Sequence, residues 1–324
     1  MIAVLALGGL TSGLYPMTAS WFSAYNQSKI IGSYESDLEH ATPGVAEQLA
    51  EAEEYNEALS AGVLLGKNSN VPVGTGESNN SDLNYDHILS SGTEGMIGRI
   101  RISDIDVDLP IYHGTSDAVL ARGAGHLEGS SLPIGGQGTR SVITAHRGLA
   151  NATMFTNLNK VDVGDTFTLE VFGEVLTYKV KTTQVIAPEE TDTLRSVPGE
   201  DLVTLITCTP LGINTHRILV TGERITPTPI ADIQAAGEGP NIPGFPWWIV
   251  WFALGIALVL TYLIPRGFKD AANKIRRLAR KNLPVEDGQA AQENLTTDSL
   301  PLLIAESSEA HSTTSQLGRQ STET

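Results

Sequence analysis

The chain has 324 residues, a formal net charge of -16 and a sequence pI near 4.8, so nucleic acid is disfavoured as a partner. Its one cysteine excludes a disulfide within the chain, and a single cysteine is usually a small buried hydrophobe unless a base or a cation activates it. The His, Cys, Asp and Glu residues show no metal-ligand spacing, so we expect neither a metal nor another cofactor.

An apolar segment near each end of the sequence predicts a membrane helix. Residues 1–28 carry no charged side chain, and we interpret residues 1–24 as an N-terminal signal-anchor or transmembrane segment. Residues 245–264 are also uncharged and begin with a cluster of tryptophans, as a membrane span requires.

The flank of the second apolar segment predicts its orientation. Lys and Arg are frequent from Arg266 to Lys281, which argues against a buried core helix. By the positive-inside rule the tail, residues 265–324, is cytoplasmic and the domain between the two membrane segments is extracellular. The composition of the tail beyond about residue 284 is typical of disorder.

Between the membrane segments the sequence changes character twice. Residues 25–61 predict a helical stalk, broken at Pro43 and Gly44, whose apolar face packs on the domain. Residues 62–95 are rich in Gly, Asn and Ser without periodicity, and both a lid-like loop over a cleft and a plain linker fit them. Residues 227–244 are interpreted as a linker.

Residues 96–226 predict a mostly β domain. Ile105, Val107, Leu109 and Ile111 alternate with polar residues or proline, and glycine-containing turns separate the strand-like runs that follow. This pattern is typical of an antiparallel barrel or sandwich with short connecting helices. The other strand-like runs are 141–146, 166–172, 176–180, 201–208 and 215–221, and a short helix is expected at 117–121.

Cys208 closes one of these runs, and Arg217 lies near the start of the next. Pro210 and Gly212 break the chain between them, so the two runs are expected to be neighbouring strands joined by a loop. That arrangement places a thiol and a guanidinium at one cleft. A buried, unreactive cysteine remains the alternative at this point.

A catalytic cysteine needs a base or a cationic neighbour, and seven histidines are candidates. His146 closes a core strand, as Cys208 does, and is the strongest candidate. His40 lies in the stalk and His311 in the tail, and His87 and His113 lie in or beside loops. His126 is in a Gly-rich segment, where structural hydrogen bonding is as good an explanation as catalysis. His216 is next to Arg217, and strand alternation sends their side chains to opposite faces.

Several separated motifs resemble the sortases, cysteine transpeptidases of Gram-positive cell surfaces. Residues 204–208 read Thr-Leu-Ile-Thr-Cys, Arg217 follows nine positions after the cysteine, and His146 stands in an Ala-His-Arg-Gly context. Residues 109–115 and 125–133, together with a membrane segment at each end, resemble the class C branch that polymerises pilins.

The resemblance implies an eight-stranded sortase-type β-barrel and a role for each candidate residue. Cys208 is then the nucleophile that attacks the Thr-Gly bond of a Leu-Pro-X-Thr-Gly sorting signal. His146 is the general acid and base, and Arg217 stabilises the oxyanion. Thr207 either supports the nucleophile or is an ordinary β-branched strand residue. The implied partners are pilin subunits and other LPXTG-bearing surface proteins, an acceptor lysine amine and the lipid bilayer.

One feature departs from the class C pattern. The lid of these enzymes commonly carries an Asp-Pro-aromatic triplet, and no Asp-Pro occurs in this sequence. The acidic or aromatic-ring residues near the end of the lid-like segment are Asp82, Tyr85, Asp86 and His87. We therefore expect a lid-like segment without the usual plug.

Three alternatives remain beside pilin polymerisation. A housekeeping sortase uses the same chemistry with a cell-wall precursor amine as acceptor. A papain-type hydrolase is disfavoured by the β-rich pattern and by the order His then Cys. A non-catalytic, membrane-tethered pilin-binding domain requires no reactive cysteine.

Overall fold

The computed structural model describes residues 1–59, 84–90, 95–236 and 238–281. Its strands are β1 (Met96–Ile102), β2 (Val107–His113), β3 (Ala124–His126), β4 (Thr139–Thr144), β5 (Thr166–Val171), β6 (Glu174–Ile186), β7 (Asp201–Thr209) and β8 (His216–Arg224). Its α-helices are α1 (Ile2–Glu39), α2 (Val45–Ala58), α3 (Asp117–Leu120), α4 (Ile230–Ala236) and α5 (Trp247–Lys281).

The eight strands close into a barrel in the order β1-β2-β3-β4-β7-β8-β6-β5, and β5 pairs again with β1. The predicted mostly β barrel is therefore confirmed. Two neighbouring pairs, β2–β3 and β4–β7, are parallel, so the expectation of an antiparallel arrangement is wrong for them. The reason is that apolar alternation along a strand has the same period whichever way the neighbouring strand runs.

Alternate residues of strand β7 contribute to two separate hydrophobic clusters. On β7, Leu205 belongs to the large cluster that fills the barrel, whereas Ile206 belongs to a smaller one. We call the smaller cluster the outer cluster; Leu194 from the β6–β7 connection contributes to it. Its members are Leu127, Val142, Ile186, Leu194, Ile206 and Leu219. The outer face of β7 and β8 is thus itself partly covered, which shelters any group placed there.

The helix α1 ends at Glu39 and α2 begins at Val45, so Pro43 and Gly44 lie between the two helices. On α2 the buried residues are Gln48, Ala52 and Tyr55. The side chain of Asn56 reaches Leu132, donating to its carbonyl at 3.1 Å and accepting from its N–H at 2.6 Å.

A buried tyrosine fastens α1 to the barrel. The Tyr34 hydroxyl donates a hydrogen bond to the Ile97 carbonyl at 2.6 Å and accepts one from the Phe172 N–H at 2.9 Å. A buried donor or acceptor that loses its partner costs far more than an exposed one. This single hydroxyl therefore holds the stalk against strand β1 and against the turn between β5 and β6.

We expect Tyr34→Phe to lower the free energy of unfolding by about 1–3 kcal/mol, because the Ile97 carbonyl and the Phe172 N–H lose their buried partner. Thermal unfolding of the full chain in detergent measures this change. Tyr15→Phe is the matched control, since Tyr15 lies on the same helix and is 59% exposed. Equal effects of the two substitutions would contradict the role assigned to the hydroxyl.

The segment predicted as a linker, 227–244, is fastened to the barrel at several points. Asp232 accepts from the Thr177 hydroxyl at 2.7 Å, and the Asn241 N–H donates to the Asp108 carboxylate at 3.0 Å. The buried Arg99, which also pairs with Asp108, donates to the Glu238 carbonyl at 3.2 Å. Sequence composition does not reveal these contacts, because their barrel partners are far away in sequence.

Helices α1 and α5 are both long and apolar enough to cross a membrane. The middle of α1 contacts the start of α5, since the Trp21 indole donates to the carbonyl of Gly244, just before α5, at 2.8 Å and the Phe22 ring lies 5.9 Å from that of Trp248. Residues up to Ile264 form one compact unit and those from Pro265 another. Most of the lid-like segment predicted at 62–95 and the tail beyond Lys281 lie outside the described residues.

Candidate active site

Cys208 and Arg217 are direct partners in the sheet. They face each other in the antiparallel register of β7 and β8, so their side chains leave the sheet on the same side. By strand alternation this side is that of Ile206 and Leu219 in the outer cluster. The thiol is 8% exposed and the guanidinium is fully buried.

The β7–β8 loop holds the guanidinium in place. Nη1 of Arg217 donates to the carbonyl of Asn214 at 2.8 Å and to that of His216 at 3.1 Å. Asn214 has a φ of +58°, a conformation that Asn tolerates better than most residues. The break predicted at Pro210 and Gly212 is this loop, and it directs the start of β8 back towards Cys208.

His146 emerges on the other side of Cys208. The parallel register of β4 and β7 pairs Thr144 with Ile206, and the Ala145 N–H still donates to the Ile206 carbonyl at 3.3 Å. Cys208 is two residues beyond Ile206 on β7, and His146 is two residues beyond Thr144, past the end of β4. The strand register therefore places Cys208 on β7 between Arg217 on β8 and the segment after β4 that carries His146.

The pKa shifts describe an uncharged resting pair. Burial raises the pKa of the Cys208 thiol above its usual value, and the positive charge of Arg217 opposes part of that rise. Burial also lowers the pKa of His146, against the opposing effect of the Asp117 carboxylate. At neutral pH the resting site consequently holds mostly a thiol and a neutral imidazole, and charge separation has to accompany substrate binding.

Thr207 and Arg147 tie the end of β7 to the segment that follows β4. The Thr207 hydroxyl donates to the Ala145 carbonyl at 2.8 Å and so ties β7 to the residue before His146. Arg147, which the sequence analysis did not single out, donates to the Thr209 hydroxyl at 2.8 Å and to the Asn159 side chain at 2.9 Å. The sequence signal that could have pointed to Arg147 is its place directly after His146 in the Ala-His-Arg-Gly motif.

His126 has a structural environment. It is fully buried, its Nε2–H donates to the Ser131 carbonyl at 2.8 Å, and its Nδ1 therefore accepts from the Tyr85 hydroxyl at 2.9 Å. Burial lowers its pKa to about 3, so the ring stays neutral. Tyr85 thereby anchors residues 84–90, the described end of the predicted lid segment, to β3; Asp82 lies outside the described residues.

The remaining described histidines lie apart from the thiol or face away from it. His113 is partly buried and donates to the Ile88 carbonyl at 2.7 Å, and the loss of solvent around the ring lowers its pKa. His40, His87 and His216 are exposed. His216 and Arg217 take opposite faces of β8, as alternation predicts.

A closed mixed β-barrel with Cys208, His146 and Arg217 near the ends of adjacent strands is the arrangement that the sequence resemblance to the sortases implies. The sortase domain model matches residues 100–225. A curated sortase A of Streptococcus agalactiae serotype III (strain NEM316) is 30% identical over 148 residues, which are 44% of this chain and 59% of the relative. Sortase D of Bacillus subtilis (strain 168) is 26% identical over 132 residues, 40% of this chain and 64% of the relative. The chain thus spans less than two thirds of these curated relatives.

Solved structures of class C sortases match over nearly their whole length. Sortase C-1 of Streptococcus pneumoniae is 41% identical with a TM-score of 0.53, covering 61% of this chain and 98% of that chain. The pilus-related sortase C of group B Streptococcus is 37% identical with a TM-score of 0.52, covering 60% of this chain and 95% of that chain. The chain belongs to the sortase family, and these structural neighbours support the class C branch.

Proposed function

We propose that this protein is a membrane-anchored cysteine transpeptidase that cleaves the Thr-Gly bond of Leu-Pro-X-Thr-Gly sorting signals. It then joins the acyl group to a lysine amine of a pilin subunit and so assembles covalent pili. The observation that supports this proposal is the register of β4, β7 and β8, in which Cys208 lies between Arg217 and the segment after β4 that carries His146.

In the first half-reaction the Cys208 thiol transfers its proton to His146, and the thiolate attacks the threonine carbonyl. Arg217, held by two backbone carbonyls, supplies positive charge to the oxyanion that forms. The imidazolium of His146 then protonates the leaving glycine amine as the C–N bond breaks. A thioester between Cys208 and the threonine remains.

In the second half-reaction an amine takes the place of the departed glycine. A neutral imidazole at position 146 accepts a proton from the incoming group, and the C–S bond of the thioester breaks as the new amide forms. The low pKa of His146 suits this step, because most of the imidazole is already unprotonated at neutral pH. One histidine thus acts as acid in the first step and as base in the second.

The two apolar helices support a location at the cell membrane. Basic residues follow the apolar part of α5, so the positive-inside rule puts residues from Pro265 on in the cytoplasm and the barrel outside the cell. Pilin precursors held in the same membrane then meet the enzyme at a high effective concentration.

The test uses the full chain in detergent with a pool of Leu-Pro-X-Thr-Gly peptides that differ at X. Intact mass is expected to show a covalent adduct that retains the peptide up to threonine, and a lysine-bearing peptide is expected to remove it as an amide product. A variant without residues 62–82 is measured alongside, to take away the predicted lid. Absence of an adduct on both proteins, while iodoacetamide still alkylates Cys208, would overturn the proposal.

A further inference from the structure

Helix α3 lies beside the strand end from which His146 emerges. The side chains of Leu120 and Val119 cover Gly125 of β3 so closely that an added Cβ there would approach them to 3.0 and 3.2 Å. Gly125 is paired with Thr144, the last residue of β4. The short helix therefore lies against the strand that pairs with the end of β4, two residues before His146, and on the side of the cleft opposite Arg217.

The first residue of α3 is an exposed aspartate, Asp117, that follows the helix cap Ser116. Its carboxylate opposes the lowering of the His146 pKa that burial causes, in keeping with the position of α3 near the end of β4. Among the residues that the structure describes, no Lys, Arg or His side chain forms an ion pair with this carboxylate. It is therefore accessible to a cation that arrives from solution.

Charges of opposite sign lie on the two sides of the reacting pair. Arg217 on β8 is positive, Asp117 in the connection between β2 and β3 is negative, and Cys208 on β7 and His146 after β4 lie between them. The neighbouring cation Arg147 is engaged with Thr209 and Asn159. The anionic atom that develops on the substrate is the acyl oxygen, and the cationic group that must arrive afterwards is an ammonium. The two ends of the cleft have the charges that these two groups require.

We propose that Asp117 binds the ammonium group of the acceptor beside His146 and so makes the second half-reaction selective for charged amines over water. The inference rests on the proposed function, because it concerns the amine that resolves the thioester. It assigns a binding residue on α3, outside the three residues that perform the bond exchange.

The proton balance of the step explains why such a residue is useful. The ammonium gives one proton to the neutral His146, and the resulting amine forms the C–N bond at the thioester carbon. The C–S bond electrons leave with Cys208 Sγ, which takes the second proton from the tetrahedral nitrogen. The products are an amide, a thiol and an imidazolium that returns its proton to water. Asp117 raises the occupancy of the ammonium and stabilises the imidazolium that forms.

Two acceptors separate this role from a structural one. A lysine peptide carries an ammonium at neutral pH, whereas hydroxylamine is mostly uncharged and needs no carboxylate partner. We expect Asp117→Asn to raise the KM for the lysine peptide about fivefold, the size typical of a solvent-accessible ion pair. Acyl-enzyme formation and the reaction with hydroxylamine are expected to stay unchanged, and Asp117→Glu to restore lysine use.

Asp104→Asn is the matched control, because Asp104 is an exposed aspartate in the first turn of a short helical segment, in the connection between β1 and β2. It is expected to leave both acceptors unaffected. Equal losses with lysine peptide and hydroxylamine in Asp117→Asn would show a structural role and overturn this inference alone. Absence of an acyl-enzyme on the wild-type chain would overturn the proposed function together with it.

Discussion

Cys208→Ala is expected to form no acyl-enzyme and to lower the rate of peptide cleavage by about 10³-fold or more, because the nucleophile is absent. The substitution removes one sulfur atom from a small side chain that is 8% exposed. The barrel should therefore fold as before, and loss of activity reports on chemistry. Intact mass and cleavage of an internally quenched Leu-Pro-X-Thr-Gly peptide measure the two effects.

Cys208→Ser is the companion variant, since it keeps a nucleophilic atom of nearly the same size but with a much higher pKa. It is expected to cleave the peptide far more slowly than the wild type while binding it equally well. Unchanged cleavage in Cys208→Ala would leave the non-catalytic, pilin-binding reading as the better account of the protein.

Arg217→Ala is expected to lower kcat/KM by about 10²–10³-fold, the usual cost of losing one oxyanion donor. The same substitution has a second, separable effect. The positive charge of Arg217 opposes the rise in the Cys208 pKa that burial causes, so its removal raises that pKa further. Because activity requires a proton on the pair formed by Cys208 and His146, the alkaline limb of the kcat/KM profile moves to higher pH.

Arg217→Lys separates charge from geometry. It retains a cation beside the thiol, so the alkaline limb should stay close to that of the wild type, while kcat/KM recovers only in part because the guanidinium geometry is lost. A full pH profile of both variants is the measurement. An alkaline limb that does not move in Arg217→Ala would contradict the electrostatic role of the guanidinium.

Some of this arrangement is visible in the sequence because local signals determine it. Cys208 ends an apolar run, Pro210 and Gly212 break the chain, and Arg217 begins the next run, so two adjacent strands were expected. Strand alternation also placed His216 and Arg217 on opposite faces before the structure was known. The catalytic roles of the three site residues stay predictions until the variants are measured.

Other features depend on contacts between distant residues, and no local pattern reports them. The parallel pairing of β4 with β7 joins strands that are separated by two others, and only this pairing brings His146 beside Cys208. Strand β3 is only three residues long and has a glycine at its centre, so no alternation could reveal it. Asp117 resembles an ordinary helix-start aspartate until α3 is placed over Gly125.

The docked segment 227–244 changes how the barrel can move. Tyr34 fixes the helix that enters the barrel, and the bonds of Asp232, Glu238 and Asn241 fix the segment that leaves it. Because both α1 and the segment 227–244 are attached to the barrel, rotation of the barrel relative to these two segments is restricted. If the barrel performs the proposed transpeptidation at a membrane, its cleft stays at a nearly constant distance from the bilayer. Pilin subunits would then have to reach the cleft by lateral diffusion, and a growing fibre would leave the surface at the position of the enzyme.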